Sequence, residues 1–577
     1  MKPFFIHIAA WLLAMLILLG IIIGILAIRM SDTPDVENGS YLTINLISEL
    51  PEYDPPGDVM SQIMGSSPLS LQTVLTNMEK AEVDDRIEGV VIKVATSLSV
   101  GTGGAQEIRQ AIKRVQKSGK KVYAYLESMD KKSYLIAAAC DEIVSPKTAY
   151  NNFIGFQGRS MHVKNALEKL GIKPNIHKIK DYKSAAEMVI REDMSEPARE
   201  NRQWILDDIW DMCMEALEKD RGLTEEQIVA IMQEAMLSTE RCVELGMIDK
   251  SQYWDELKKT LQADEEEFKS ISLSSYAKVD AEDLGFKAKK KIAVVHAQGT
   301  IGGRKNSVNP LLGTMMGYET IVSELEKVME DDDVVAVVFR VDSGGGDAFG
   351  SDMMGHQIEV LAQKKPVVVS MVDVAASGGY HISYRANHIM ANPMTICGSI
   401  GSISGKFNNS ELMTKLGITF SHIEKGPNAQ LYNSGRDFTE EEWELFTADH
   451  WRGFNEWLAD VAEHRGMTFE DAEKLAHGRV FTGRQSLENG LVDSLGGLHD
   501  AIAKARELAE KDNKLEAGAK IVAVHYPKKQ GLIDMLMGGD MASVAKWATI
   551  RMVRDDIKNT YQMTSESVWM VEDLTVE

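Results

Sequence analysis

Cysteine is scarce in this chain. The four residues Cys140, Cys213, Cys242 and Cys397 lie far apart among 577 positions, with neither the paired spacing of a metal site nor the density of a disulfide framework. No metal and no cofactor is expected. Positive charge is also in deficit: 63 Lys and Arg against 86 Asp and Glu leave a formal net charge of -23, and no extended stripe of basic residues stands out. Binding to a phosphate backbone needs such a stripe, so nucleic acid is not an expected partner. Long low-complexity tracts are missing too. With 44% hydrophobic and 26% charged residues the composition is that of a folded globular protein, and the length exceeds what one core holds, which points to a few domains.

What is present first is an apolar run. Phe4 to Ile28 covers 25 positions in which His7 is the one group that titrates near neutrality, and as a helix it would reach about 37 Å, enough to span a bilayer with some tilt. Lys2 precedes the run and Arg29 follows it, with Asp32, Asp35 and Glu37 close behind. The weak charge asymmetry favours a cytoplasmic N-terminus with the remaining chain outside. Ile25–Met30 offers no small-x-small cleavage site, so residues 1–30 are expected to be an uncleaved anchor rather than a removed signal peptide.

Beyond the anchor, apolar strand patterns alternate with amphipathic helical ones, the signature of a parallel α/β sheet. Tyr41–Leu46, Gly89–Val94, Lys121–Tyr125 and Glu142–Ser145 read as strands; Leu69–Glu82 and the stretch after Gly101–Gly104 read as helices. The same order returns after Lys289 at an offset near 246. Asp85–Val94 resembles Asp332–Val341, Ile154-Gly155 falls opposite Ile400-Gly401, Leu170–Ile172 opposite Leu416–Ile418, and Glu244–Asp249 resembles Glu488–Asp493. Four matches in one order indicate a duplication, with a period far too long for a solenoid. We divide the chain into an anchor (1–30), a first α/β repeat (31–285), a second (286–525) and a tail (526–577) in which Met541, Val544, Trp547 and Ala548 share one face of an amphipathic helix.

The repeats differ where chemistry would occur. The apolar run Pro366–Ser370 leads through Met371–Ala376, so that a strand ending in small residues meets Ser377-Gly378-Gly379 and a helical-looking His381–Asn387. A serine followed by two glycines leaves a hydroxyl at a sharp strand-to-helix turn; alone, such a turn more often just caps the next helix. Opposite Ser377 the first repeat has Lys131, so any serine chemistry is single-sited. A serine nucleophile needs a base and preorganised donors for the oxyanion. Gly344-Gly345-Gly346 after the strand ending at Asp342 can supply one donor from Gly345 or Gly346, and Gly378 the other. For the base, His381 stands one helical turn beyond the serine and points along the helix. A lysine serves instead if burial lowers its pKa from about 10.4 towards roughly 7 or 8. Composition alone favours no particular lysine.

The ordered set Tyr182–Ala185, Ala376–Tyr380, Ala391–Pro393 and Gly398–Gly401 closely resembles the long, duplicated form of the signal peptide peptidase A family, over nearly the whole chain. The resemblance implies a membrane-anchored bacterial serine protease, catalytic part outside the cytoplasm, that degrades residual signal peptides and other unfolded apolar peptides. It implies a crotonase-like or Clp-protease-like fold in each repeat and a homo-oligomer, a tetramer. Ser377 would be the nucleophile, Lys183 the general base, Ser399 the residue orienting the lysine, and Gly345, Gly346 and Gly378 the oxyanion hole. One departure stands out: the family's proline in the oxyanion loop is Gly344 here, which loosens the loop. Two other classes remain, a crotonase-type acyl-CoA enzyme, against which an external domain argues, and an inactive membrane scaffold, which would require a decayed dyad.

Overall fold

The computed structural model describes residues 34–53, 69–262, 267–309 and 313–528. The expected anchor and the apolar stripe of the tail lie outside these residues. Among the described residues no helix is long and apolar enough to cross a membrane.

The first half runs β1 (Ser40–Leu46), α1 (Leu71–Val83), β2 (Ile87–Val94), α2 (Thr102–Lys117), β3 (Lys121–Leu126), α3 (Lys131–Ala138), β4 (Glu142–Ser145), β5 (Lys173–Lys178) and α4 (Glu196–Arg221). β1 to β4 form an all-parallel sheet, closed by Ser270–Ser272 beside β1 and Lys250–Ser251 beside β4. Val90, Val91, Ile92 and Val94 are all fully buried, which is why β2 reads as a continuous apolar run: both of its faces are covered. α2 presents Ile108, Ala111, Ile112 and Val115 to the core at helical spacing. α4 starts at Ser195, whose hydroxyl accepts from Ala198 N, carries proline in its first turn, and stops at left-handed Gly222.

The second half repeats the theme with β6 (Lys290–Gln298), β7 (Val334–Ser343), α5 (Ala348–Ala362), β8 (Val367–Ala376), α6 (Gly378–His381), β9 (Ile396–Gly398), β10 (Ile403–Asn408), α7 (Glu440–His464) and α8 (Leu498–Lys511). The strand order is Val480–Thr482, β9, β8, β7, β6, Ile521–Tyr526, with His388–Ala391 also pairing β8. Every pair is parallel except Val480–Thr482 on β9. α2 and α5 begin at residues 102 and 348, a separation of 246 (348 less 102) that equals the offset read from the sequence.

The strand before Ser377 runs through the small residues to Ala376 as β8, in line with the sequence reading. Two local expectations are corrected. The helix after Ser377 is one turn, Gly378–His381, and the chain then proceeds in turns rather than as a helix to Asn387. In the first half the helix begins inside the glycine run, at Thr102, not after Gly104.

The halves are stitched by an antiparallel pair, β5 with β10, in which Lys178 faces Ile403 and Lys173 faces Asn408. The His177 and His450 Nδ1 atoms are 2.8 Å apart, and His450 Nε2 is 2.7 Å from the Ser402 hydroxyl. These contacts fix β5 to α7. Burial holds the His450 ring down to about 4, consistent with a neutral ring able to accept one of these hydrogen bonds.

Candidate active site

β8 carries the chain to Ser377, where the backbone takes φ 55° and ψ -117°. A serine in that region is strained and is held from both sides: its N–H donates to the Gly398 carbonyl at 2.9 Å, and its own carbonyl accepts from His381 N–H at 2.9 Å. The result is a sharp elbow with the hydroxyl on its outer side.

Lys183 reaches that hydroxyl from the other half. It follows β5 and caps a single 3₁₀ turn, Ser184–Ala186. Its Nζ lies 3.0 Å from Ser377 Oγ, 2.9 Å from Ser399 Oγ and 3.3 Å from the Ser399 carbonyl. The lysine is 6% exposed. The two residues therefore meet within one chain, across the stitched ribbon. Ser399 has its own left-handed backbone, φ 52°, and is pinned by its N–H to the Arg479 carbonyl at 2.7 Å.

Sequence reading missed Gly478. His477 and Gly478 are consecutive left-handed residues, φ 63° and 80°, and a Cβ on Gly478 would stand 2.4 Å from Lys183 Cα. The backbone of Lys183 lies against this glycine, and only a residue without a side chain lets it settle there. The one local cue was a turn-forming His-Gly pair, with nothing to tie it to Lys183. Gly478→Ala is expected to displace the amine by about an ångström and cut kcat by about 10²-fold. Steady-state peptide hydrolysis checks this, and a loss below threefold would contradict it.

The glycine loop after β7 approaches the elbow. A Cβ on Gly378 would lie 3.1 Å from Gly346 N, and one on Gly345 would lie 2.5 Å from Gly378 N, so the loop backbone packs against the elbow next to Ser377. The Gly345 N–H already donates to Ser343 Oγ at 3.1 Å, and that hydroxyl donates to the Gly299 carbonyl at 2.6 Å. A Cβ on Gly344 would meet nothing within 4 Å, so this position has room for the ring the family resemblance puts there.

His381 is occupied elsewhere. Its ring stacks on Trp457 with centroids 5.0 Å apart, and its Nε2 is 3.5 Å from Asp352 Oδ1. The His381 contact, with Arg385 beside it, holds the Asp352 carboxyl down to about 2. Behind the loop, burial and neighbouring Asp373 push the Asp342 carboxyl well up. Lys183, Ser377, Gly346, Phe349, Tyr384 and Trp457 line one open cleft of about 1170 Å³, room for several residues of extended peptide. All four cysteines are free and buried.

The arrangement can deprotonate a hydroxyl, stabilise an oxyanion and hold a chain segment. Comparisons with known proteins agree with that chemistry. The model of Peptidase family S49 matches twice, at residues 114–267 and 359–512. The chain is 31% identical over 535 residues to "Serine protease SPPA, chloroplastic" of Arabidopsis thaliana, covering 91% of this chain and 77% of that protein. It is 29% identical over 477 residues to "Protease 4" of Haemophilus influenzae, covering 79% and 76%. Among solved structures, a ClpP1 N165D mutant from Listeria monocytogenes is 14% identical and covers 39% of this chain and 99% of its own, with a TM-score of 0.24, too low to carry an argument.

Proposed function

Because the chain belongs to peptidase family S49, with the family domain duplicated, and is a serine protease, we propose that Ser377 is its nucleophile and Lys183 its general base, and that it cleaves extended apolar peptides, residual signal peptides among them. The observation that carries this reading is a buried amine 3.0 Å from a hydroxyl on a strained elbow. Activation requires the neutral amine.

In the reaction the Lys183 amine takes the Ser377 proton as Oγ attacks the scissile carbonyl carbon. The carbonyl oxygen, now an anion, lies between the adjacent N–H groups of Gly346 and Gly378; the Gly345 amide, already bonded to Ser343, supports the loop. The Lys183 ammonium then protonates the departing amine, and the acyl group stays on Ser377. A water that loses its proton to Lys183 attacks the acyl carbon, and the ammonium returns that proton to Ser377 Oγ. Ser399 Oγ, 2.9 Å from Nζ, keeps the amine aimed through both halves of the cycle.

The division into repeats at 31–285 and 286–525, the bilayer anchor at 1–30, the tail at 526–577, a bacterial cell-membrane location with the cleft outside the cytoplasm, and homo-oligomerisation belong to the same proposal. The 25-position apolar run supports the anchor. The test uses the full chain in detergent, a signal-peptide-like apolar peptide and a fluorophosphonate probe. The expected result is cleavage of the peptide and a single adduct mapped to Ser377. An adduct on another serine, or no cleavage, would overturn the assignment, and binding of an acyl-CoA in place of cleavage would favour the crotonase-type class.

A further inference from the structure

The junction between β2 and α2 is the first-half counterpart of the junction between β7 and α5, and the two helices are capped differently. α5 is capped by its own Asp347, whose Oδ2 accepts from Gly350 N–H at 2.6 Å. At the 246-residue offset, Asp347 corresponds to Gly101 and Gly350 to Gly104. Gly101 is the N-cap of α2 and brings no side chain. The Gly104 N–H is satisfied all the same, by Asp373 Oδ1 at 2.9 Å, from the other half of the molecule. Asp373 does for α2 what Asp347 does for α5, and the helix start is carved to admit it. A Cβ on Gly101 would fall 2.0 Å from the Asp373 carboxyl carbon, and a Cβ on Gly103 would fall 2.2 Å from the Val372 carbonyl oxygen.

Asp373 lies on β8, four residues before Ser377, in a stretch where β8 departs from regular pairing. Val341 faces Met371, yet Ser343 faces Ala375. This bulge turns the strand toward the elbow, and it is held on several sides. The Asp342 Oδ1 accepts from Val374 N–H at 3.1 Å, and Thr395 Oγ1 donates to the Val372 carbonyl at 2.5 Å. α2 holds Asp373 between them. Burial raises the Asp373 carboxyl overall and Glu107 adds to the rise, while the Gly104 N–H, Lys132 and Arg340 draw it part of the way back.

We propose that Asp373 is a positioning residue for the reaction: seated in the uncapped start of α2, it fixes the bulge that aims Ser377 at Lys183. The first half thus serves the site twice, through the Lys183 amine and through a helix terminus that clamps the nucleophile's strand. The inference rests on the Ser377–Lys183 reading.

The experiment separates clamping from capping. In the full chain, Asp373→Ala removes both the cap and the clamp. Gly101→Asp combined with Asp373→Ala returns a cap to α2 in cis, as in α5, because Gly101 already has the extended backbone of an N-cap, φ -74° and ψ 175°, but leaves β8 unheld. Asp373→Ala should lower kcat on an apolar peptide about tenfold, with KM within about twofold, since an off-line nucleophile slows chemistry rather than binding. It should also lower Tm. The double variant should regain at least half of the lost Tm while kcat stays low. If kcat returns together with Tm, Asp373 is a helix cap alone and the proposal fails; it fails as well if Asp373→Ala keeps kcat within twofold, or if the loss falls on KM. Should Asp373→Ala not fold, the recapped double variant still reports kcat. Ser377→Ala separates the two levels of the reading. Persistent cleavage in that variant overturns the catalytic assignment and the clamp together, whereas a dead Ser377→Ala beside a fully active Asp373→Ala overturns the clamp alone.

Discussion

Lys183→Met should lower kcat by about 10²–10⁴-fold, the contribution expected of a positioned general base, with KM little changed. Methionine keeps an unbranched stem against Gly478, with sulfur in place of one methylene, and removes the nitrogen, so the three contacts at 3.0, 2.9 and 3.3 Å disappear while most of the packing stays. Nothing is then left to take the Ser377 proton. Lys183→Arg should be nearly as inactive, because a guanidinium stays protonated and cannot accept a proton. The pH profile distinguishes the base: with lysine, kcat/KM continues to rise into the alkaline range, whereas a histidine base would level off near neutrality. Steady-state kinetics on an apolar peptide, with folding monitored by circular dichroism, decides the matter. Activity of Lys183→Met within tenfold of the parent would remove the lysine from the mechanism.

Arg340→Met should cost about 3–5 kcal/mol of stability, the usual consequence of breaking a buried ion pair from one side. Arg340 is 1% exposed. Its Nε donates to Glu52 at 2.6 Å, one terminal nitrogen to Glu107 at 2.7 Å and to Ser370 at 2.9 Å, and the other to Glu52 at 3.2 Å. Glu107 also accepts from Asn392 at 2.8 Å. Glu52 and Glu107 come from the first half and Arg340 from β7, so the guanidinium neutralises carboxylates that the other half has buried. The pH dependence follows from Glu52, whose carboxyl burial pushes up and Arg340 pulls back. A carboxyl with a raised folded-state value favours folding while protonated and loses that contribution as pH rises through the raised value. Without Arg340 the value rises further, so the penalty should be larger at pH 8 than at pH 5. Urea unfolding followed by tryptophan fluorescence measures it. A loss under about 1 kcal/mol at pH 8 would mean that the cluster is hydrated or relaxes freely.

The parts of this molecule legible in the sequence are those with short-range signatures. Glu142–Ser145 reads as a strand with its actual ends, and β2 and β3 differ from their expected ends by one or two residues, because fully buried parallel strands are uninterrupted apolar runs. The 246-residue offset is carried by matching strand and helix starts. Ser377 is visible because two glycines follow it. Lys183 was legible through family resemblance alone: its neighbours are ordinary, and its burial depends on Gly478 and Ser399. β5 and β10 escaped notice because Lys173–Lys178 and Ile403–Asn408 are mixed in polarity and half-buried or exposed at nearly every position, so neither reads as an apolar strand. The Gly104–Asp373 contact joins residues 269 apart; no local pattern carries such a pair. The helix expected after Ser377 is a single turn, Gly378–His381, and no local pattern in the following residues marks its end.

The stitching of β5 to β10 also has a consequence in time. Lys183 is synthesised 194 residues before Ser377, an interval of about 10–40 s at ordinary rates of translation. Throughout that interval the emerging chain holds the amine without its hydroxyl neighbour, and the contact cannot close until β10 and Gly478 have followed Ser377. The proposed dyad is therefore absent from the growing chain until Gly478 has been made and the ribbon can close.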